Sequence, residues 1–161
     1  MKLVAGILAI SAVLVVGGAG AAFAASSPGS ARPERLRIIS TKATSDRLSV
    51  IATGIVTAGG VDIPARVTDT VVLPGGTLKF RHVARTNTAS FNARTCLGTE
   101  SQKGRFTIGH GTGKYAGVHG TGKFVTRIVF VTARNRAGHC THVQAPATFQ
   151  QVITATGTAS R

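Results

Sequence analysis

The strongest constraint on the fold of this chain is a two-residue alternation of apolar and polar side chains. In residues 77–85 (TLKFRHVAR) one face carries Leu78, Phe80 and Ala84, and the opposite face carries cations. A repeat of two is typical of a β-strand with one side in a core and the other in water. The segment therefore predicts a half-buried strand.

Seven further segments have the composition of strands, and turn-forming residues separate them. They are residues 35–41, 48–57, 65–73, 89–96, 104–108, 123–132 and 148–156. The separators are Gly59-Gly60, Pro74-Gly75-Gly76 and residues 109–122 and 136–146. No segment has the pattern of an amphipathic helix. About eight short strands joined in this way predict an all-β fold, either an up-and-down barrel or a sandwich.

Composition supports one folded domain. The chain has 161 residues, of which 43% are hydrophobic, 15% are charged and 20 are glycine. This mixture is too apolar for a disordered chain and too rich in turns for a helical bundle.

The N-terminus has the pattern of a secretory signal peptide. Lys2 precedes an uncharged run over residues 3–25 that contains Ala22-Phe23-Ala24, an A-x-A cleavage pattern. We expect residues 1–24 to be removed, residues 25–34 to form a flexible leader, and residues 35–161 to form a secreted domain. The alternative is an uncleaved anchor, because the run is long enough to span a bilayer.

Cys96 and Cys140 are the two cysteines. In an exported chain this even count predicts one disulfide, which would contribute about 4 kcal/mol for a loop of this length. The alternative is a metal site formed by His139, Cys140 and His142. That cluster matches no zinc spacing with a second nearby cysteine, so we predict no metal.

Residues 123–132 (KFVTRIVFVT) are apolar on nearly both faces. A strand of this kind is buried between a barrel interior and a covering element, or it presents an outward apolar patch. It makes a homo-oligomer interface plausible.

The most specific local feature is the glycine-rich passage GHGTGKYAGVHGTGKF, residues 109–124. Residues 117–123 fit the G-x4-G-K part of a phosphate-binding loop, but Phe124 stands where a hydroxyl should bind the metal, and a strand pattern follows. We therefore reject nucleotide binding and expect no cofactor. The glycines are expected to form a barrel corner, with Tyr115 and Phe124 turned into the core; they are Gly111, Gly113, Gly117, Gly120 and Gly122.

Residues 106–130 (FTIGHGTGKYAGVHGTGKFVTRIVF) resemble the strand, glycine-rich turn and strand of the allene oxide cyclase-like barrel family, which is related in fold to dirigent proteins. The placing of Cys96 before this motif and Cys140 after it resembles secreted actinobacterial members. The resemblance extends loosely over residues 35–159, and residues 104–130 carry it. It implies a single closed antiparallel β-barrel of about eight strands, with a mostly apolar cavity.

The resemblance does not carry activity with it. Allene oxide cyclases use a glutamate at the barrel bottom, and dirigent proteins use acidic residues in the cavity. Of the five carboxylates, Glu34 precedes the first predicted strand, and Asp46 and Asp62 fall in predicted turns. The first strand thus lacks an acid, a departure from the cyclase pattern. Asp69 shares a face with Val67 and Val71 and is the one candidate for a catalytic group; a position on the barrel exterior explains its charge equally well.

Charge indicates which partners the surface attracts. Lys and Arg total 19 against five acids, a formal net charge of +14. A field of this sign gathers anions, including wall or matrix polymers. The cations are spread singly and aromatic residues make up only 5% of the chain, so specific nucleic-acid recognition is not expected.

Three functions follow, and each requires a different structure. A secreted barrel that binds a small apolar or amphiphilic molecule needs an open cavity, with candidate lining residues Phe80, Phe106, Tyr115, Phe124 and Phe149. A non-enzymatic protein that binds anionic polymers needs a filled barrel and a continuous face of Arg and Lys. An isomerase of the cyclase type, the less favoured enzymatic alternative, needs a buried carboxylate inside the cavity.

Overall fold

The computed structural model describes residues 29–141 and 145–161, which form eight β-strands and one short 3₁₀ helix. The strands are β1 (Arg32–Ser40), β2 (Leu48–Thr53), β3 (Ala58–Ile63), β4 (Thr68–Leu73), β5 (Gly76–Asn92), β6 (Leu97–Gly109), β7 (His119–Val131) and β8 (Thr148–Ser160). The 3₁₀ helix, Gly113–Tyr115, lies between β6 and β7. The predicted signal peptide, residues 1–24, lies outside the described residues.

The eight strands form one closed antiparallel barrel in sequence order. Leu36 of β1 pairs with Ala52 of β2 on one side and with Ala155 of β8 on the other, so the first strand closes the sheet against the last. Closure gives every strand a neighbour on both sides, although residues 83–92 of β5 extend beyond β4 and pair in the described sheet with β6 alone. The predicted all-β fold and eight-stranded barrel are confirmed.

Several of the predicted strand boundaries differ from the structure, and two of these differences show how strand pairing overrides local pattern. The segment expected at 77–85 and the first part of the segment expected at 89–96 belong to the single strand β5, which continues through a β-bulge between Ala84 and Thr86; residues 93–96 form a turn. The Gly59-Gly60 pair, expected to be a turn, lies within β3. Strand formation there depends on pairing with β2 and β4, which outweighs the low intrinsic strand preference of glycine.

The first strand also begins earlier than the sequence suggests. β1 starts at Arg32, three residues before the expected start of the domain at residue 35. Its buried positions are Glu34, Leu36, Ile38 and Ser40, so the inward face begins with a carboxylate.

The glycine-rich passage forms a corner at one end of the barrel, as expected. Gly113 has φ +56°, a left-handed conformation in which a Cβ atom would be strained. Gly122 lies within β7, where a Cβ atom would lie 2.5 Å from the Phe106 ring. Phe124 is buried, and Tyr115 is half-buried against the core. The passage therefore turns the chain and makes room for a core aromatic ring.

The predicted disulfide between Cys96 and Cys140 is present, with Cα atoms 5.4 Å apart. It joins the β5–β6 turn to the segment between β7 and β8. The same two regions are joined by the Thr132 N–H, which donates to the Cys96 carbonyl at 3.0 Å. Across residues 29–141 and 145–161, the structure has no helix with the length and hydrophobicity to cross a membrane.

The outer face of β7 is open in the described part of the chain. Phe124 and Thr126 point inward and are buried, while Val129 points outward and is 42% exposed. The outward valines alternate with the exposed cations Lys123 and Arg127, so the outer face of the strand is mixed and is neither covered nor a purely apolar patch.

Candidate functional site

The barrel interior is packed at one end and hollow towards the other. At the packed end, apolar side chains from several strands and loops fill the space between the walls; these are Ala52, Val56, Leu73, Leu78, Ile108, Val118 and Ala159. Towards the other end, where β4 and β8 begin and β3 and β7 end, a cavity of about 250 Å³ remains.

Most of the cavity wall is aliphatic and aromatic. Its apolar part consists of Leu36, Ile38, Leu48, Pro64, Ala65, Val71, Phe80, Phe106, Phe124, Ile128, Ile153 and Ala155. The rings of Phe80 and Phe106 are 5.9 Å apart between centroids and inclined at 42°. A surface of this composition favours an apolar occupant.

Three of the five aromatic residues predicted to line the cavity do so: Phe80, Phe106 and Phe124. Tyr115 lies at the packed end, where its hydroxyl donates to the Pro74 carbonyl at 3.1 Å. Phe149 precedes Gln151, the first cavity-lining residue of β8, and instead lines a surface groove beside residues 41–44. Tyr115 belongs to the 3₁₀ helix between β6 and β7, and Phe149 lies close to the start of β8; the sequence pattern reveals neither position.

Asp62 is the carboxylate that sequence reasoning placed wrongly. It was expected in a solvated turn, but it lies in β3, is 0% exposed and lines the cavity. Its inward direction follows from its register, because it pairs with Leu48 of β2 and Val71 of β4, both of which are buried. Among residues 29–141 and 145–161, neither Oδ1 nor Oδ2 has a hydrogen-bond partner. A buried carboxylate of this kind carries a large desolvation cost when ionised.

The surroundings of Asp62 favour its neutral form. Burial, followed by the negative charge of Asp69, raises the pKa of Asp62 to about 7, and His82 acts in the opposite direction. This carboxyl group therefore changes its charge near neutral pH.

Asp69 lies on the cavity wall at the start of β4. Of the two positions considered for this residue, inside the barrel or on its exterior, the structure has the first. Its Oδ1 accepts a hydrogen bond from the Ala65 backbone N–H at 2.7 Å and lies 3.2 Å from His82 Nε2. Of the two valines predicted to share a face with Asp69, Val71 is buried, whereas Val67 precedes the strand and is 43% exposed.

His82 was missed by the sequence analysis. It lies between Phe80 and Ala84 on the inward face of β5, so the alternation of that strand was a signal that could have found it. Its Nε2 lies 3.2 Å from both the Ala65 carbonyl and Asp69 Oδ1. Since both atoms are acceptors, Nε2 carries the proton in this arrangement. The His82 ring lies edge-on to the Phe124 ring, with 6.2 Å between the two ring centroids.

The other polar groups on the wall are Glu100, Gln102, Thr126 and Gln151. The described cavity lining contains the three carboxylates Asp62, Asp69 and Glu100 but no Lys or Arg, although the chain has 19 Lys and Arg and five acids. The interior is thus acidic and the exterior basic.

Glu34 is the second carboxylate whose position differs from expectation. It lies in β1 rather than before it and is 1% exposed, but it is absent from the cavity wall. Its Oε2 accepts a hydrogen bond from the Val56 N–H at 3.1 Å. Burial raises the pKa of Glu34, and backbone hydrogen bonds from Val56 and Ile55 offset part of this effect. Asp46, in contrast, is exposed in a turn, as expected.

The alternative metal cluster loses its thiolate, because the sulfur of Cys140 is bonded to Cys96. His142 lies outside the described residues. Comparison of the chain with protein families, with curated proteins and with solved structures found no match.

Proposed function

We propose that this protein binds a small, mainly apolar molecule inside the barrel. The observation that carries the proposal is the cavity of about 250 Å³ with its apolar wall and its few polar groups. Concave apolar sites with a small number of convergent polar side chains are the usual form of small-molecule sites. Asp62, whose two carboxylate oxygens have no hydrogen-bond partner among the described residues, provides a hydrogen-bonding group for such a ligand.

The proposal includes export and family membership. The signal-peptide pattern of residues 1–24 and the disulfide support a secreted protein. The motif of residues 104–130 and the closed eight-stranded barrel support a place in the allene oxide cyclase-like family. Asp62 also meets the requirement of an isomerase for a buried carboxylate in the cavity. Binding is the function we propose, because no substrate is defined by the site.

The test is native mass spectrometry of the secreted protein together with titration of a neutral apolar dye such as Nile red. The variant Ala155→Leu adds volume at a buried position of the cavity wall. The control Thr154→Leu changes the neighbouring, exposed position of β8. We expect a co-purified ligand or dye binding that Ala155→Leu weakens about tenfold, whereas the control retains it. Equal dye binding by both folded variants would place the dye outside the cavity and contradict the proposal.

A second candidate function is attachment to anionic polymers, and the distribution of surface cations favours it. We define the basic face as six exposed residues on the outer side of β1, β6 and β7; they are Arg35, Arg37, Lys103, Arg105, Lys123 and Arg127. Arg105 pairs directly with Lys123 across the sheet, and Lys123 is linked to Arg35 through Thr156 of β8. Within residues 29–141 and 145–161, none of these six cations forms an ion pair with a carboxylate. Like charges held opposite each other favour a polyanionic partner.

Binding to inorganic polyphosphate at several salt concentrations tests this second function. The double variant Arg105→Gln, Lys123→Gln should weaken binding and reduce its salt dependence. Its control is Arg47→Gln with Arg66→Gln, which removes the same charge from exposed loop positions outside the basic face. Equal losses in both double variants would indicate a general charge effect and no specific face.

A further inference from the structure

Acidic and basic side chains are distributed unequally between the cavity wall and the outer surface of the barrel. The cavity contains three of the five carboxylates and, among the described lining residues, no Lys or Arg. From this arrangement we infer that the cavity selects a ligand with a protonated amine attached to an apolar body, and that Asp62 and Asp69 receive the ammonium group. This inference rests on the proposed function, since it specifies the class of ligand that the cavity takes.

Asp62 provides the first argument, because it is completely buried and both its carboxylate oxygens lack hydrogen-bond partners in the part of the chain that the structure describes. Buried polar groups in folded proteins are nearly always hydrogen-bonded, and an exception calls for an explanation. A group that donates several hydrogen bonds into the cavity supplies the missing partners. An ammonium group has three donors and no acceptor, so all of its polar atoms can be satisfied by carboxylate and carbonyl oxygens.

The second argument is electrostatic. Asp69 lies on the neighbouring strand β4, two residues before Val71, which pairs with Asp62; the charge of Asp69 opposes ionisation of Asp62. A cation between the two carboxylates is attracted to both and reduces their mutual repulsion. The other titratable groups on the wall are His82 of β5, which bonds to Asp69, and Glu100 of β6. On β2, the other neighbour of β3, residues 48–53 contain no titratable side chain.

The apolar part of the ligand follows from the remaining wall. The rings of Phe80, Phe106 and Phe124 and the aliphatic side chains beside them line the same cavity as the acids. An arylalkyl amine places its ring among these side chains and its ammonium group at Asp62. A cation also gains from aromatic faces nearby.

The net charge of the whole protein acts against this selectivity. At +14 the protein attracts anions and repels cations at long range. Preference for an amine over an anion of equal size therefore has to arise inside the cavity, which makes the inference easy to separate from surface adsorption.

The experiment uses three indole probes of similar size: tryptamine, which is cationic; tryptophol, which is neutral; and indole-3-acetate, which is anionic. The protein contains no Trp and one Tyr, so indole emission reports the probe alone. We expect tryptamine to bind at least about tenfold more tightly than tryptophol near pH 8, as is typical of charge-assisted hydrogen bonds. Indole-3-acetate should bind most weakly at a salt concentration that screens the exterior.

Variants assign the preference to individual residues. Asp62→Asn should remove most of the difference in affinity between tryptamine and tryptophol, and Asp69→Asn should reduce the difference in part. Asp46→Asn, an exposed carboxylate in a turn, is the control of equal charge change. In the wild type the preference should fall when the pH is lowered to about 5, because Asp62 becomes neutral; His82→Gln measures the contribution of the imidazole to this dependence.

The outcomes separate the two proposals. If tryptophol binds as tightly as tryptamine near pH 8, or if Asp62→Asn keeps the preference, the inference about amines is wrong while cavity binding stands. If none of the probes binds and Nile red does not bind either, both the inference and the proposed function are wrong. Circular dichroism of each variant establishes that the barrel has folded.

Discussion

His82 Nε2 lies 3.2 Å from Asp69 Oδ1, and this contact joins β5 to the start of β4 on the cavity wall. Both groups also bind the backbone of Ala65, through its carbonyl and its N–H respectively. Asp69 is thus hydrogen-bonded, whereas neither carboxylate oxygen of Asp62 has a hydrogen-bond partner among the described residues. Two carboxylates in one cavity therefore have different environments, and this difference has measurable consequences.

The first consequence is that stability depends on pH through Asp62. The pKa of this carboxyl is raised from 3.8 to about 7 in the folded protein, so between these values the folded state binds the proton and the unfolded state does not. The contribution of Asp62 to the free energy of unfolding therefore falls as the pH rises through this window.

Asp62→Asn should remove this pH-dependent decrease in the free energy of unfolding. We expect little change in the free energy of unfolding near pH 4 and a stabilisation of about 1–3 kcal/mol near pH 8. Urea unfolding at a series of pH values measures both quantities, with Asp46→Asn as the control. Parallel pH profiles for the wild type and Asp62→Asn would show that Asp62 ionises as freely in the folded protein as in the unfolded chain.

Gly122 is expected to be intolerant of a side chain. A Cβ atom at residue 122 would lie 2.5 Å from the Phe106 ring. A Cβ atom at residue 109 would have no atom within 4 Å apart from those of the adjacent residues. Gly122→Ala should lower the free energy of unfolding by about 1–3 kcal/mol, and Gly109→Ala should leave it nearly unchanged. Adding Phe106→Leu to Gly122→Ala should recover part of the loss. Equal effects of the two alanine substitutions in thermal or urea unfolding would argue against this close contact.

The disulfide should contribute to stability without shaping the cavity. Cys96 and Cys140 are 44 residues apart in sequence, and neither lines the cavity. The double variant Cys96→Ser, Cys140→Ser should lower the free energy of unfolding by about 2–4 kcal/mol. Nile red affinity measured below the unfolding transition should stay the same. A large loss of dye binding in the folded double variant would link the loop between β7 and β8 to the cavity.

The pair formed by Arg105 and Lys123 offers a surface test. Because two cations face each other across β6 and β7, Arg105→Glu replaces repulsion with attraction. We expect a stabilisation of about 0.2–1 kcal/mol at low salt that decreases as salt is added. Arg47→Glu, in an exposed loop, is the control. A salt-independent effect would rule out an electrostatic cause.

The sequence by itself determined the fold class, the disulfide and the corner. Alternation in residues 77–85 marked a strand with Leu78 and Phe80 inside, and both are buried. Two cysteines permit only one intramolecular pairing, and residues 109–124 contain the glycines that a tight corner needs. These features depend on local pattern, which is fully present in the linear chain.

Only the tertiary structure decided which carboxylates face inward. The direction of a strand side chain reverses with every residue, so it can be assigned only once the strand is known to exist and its register is known. Asp62 lies in a strand whose Gly59-Gly60 pair indicates a turn, and Glu34 lies just before the residues that read as a strand. Pairing with neighbouring strands makes both segments extended and turns both carboxylates inward. The cavity itself arises only when all eight strands close, because its wall is assembled from residues far apart in the sequence.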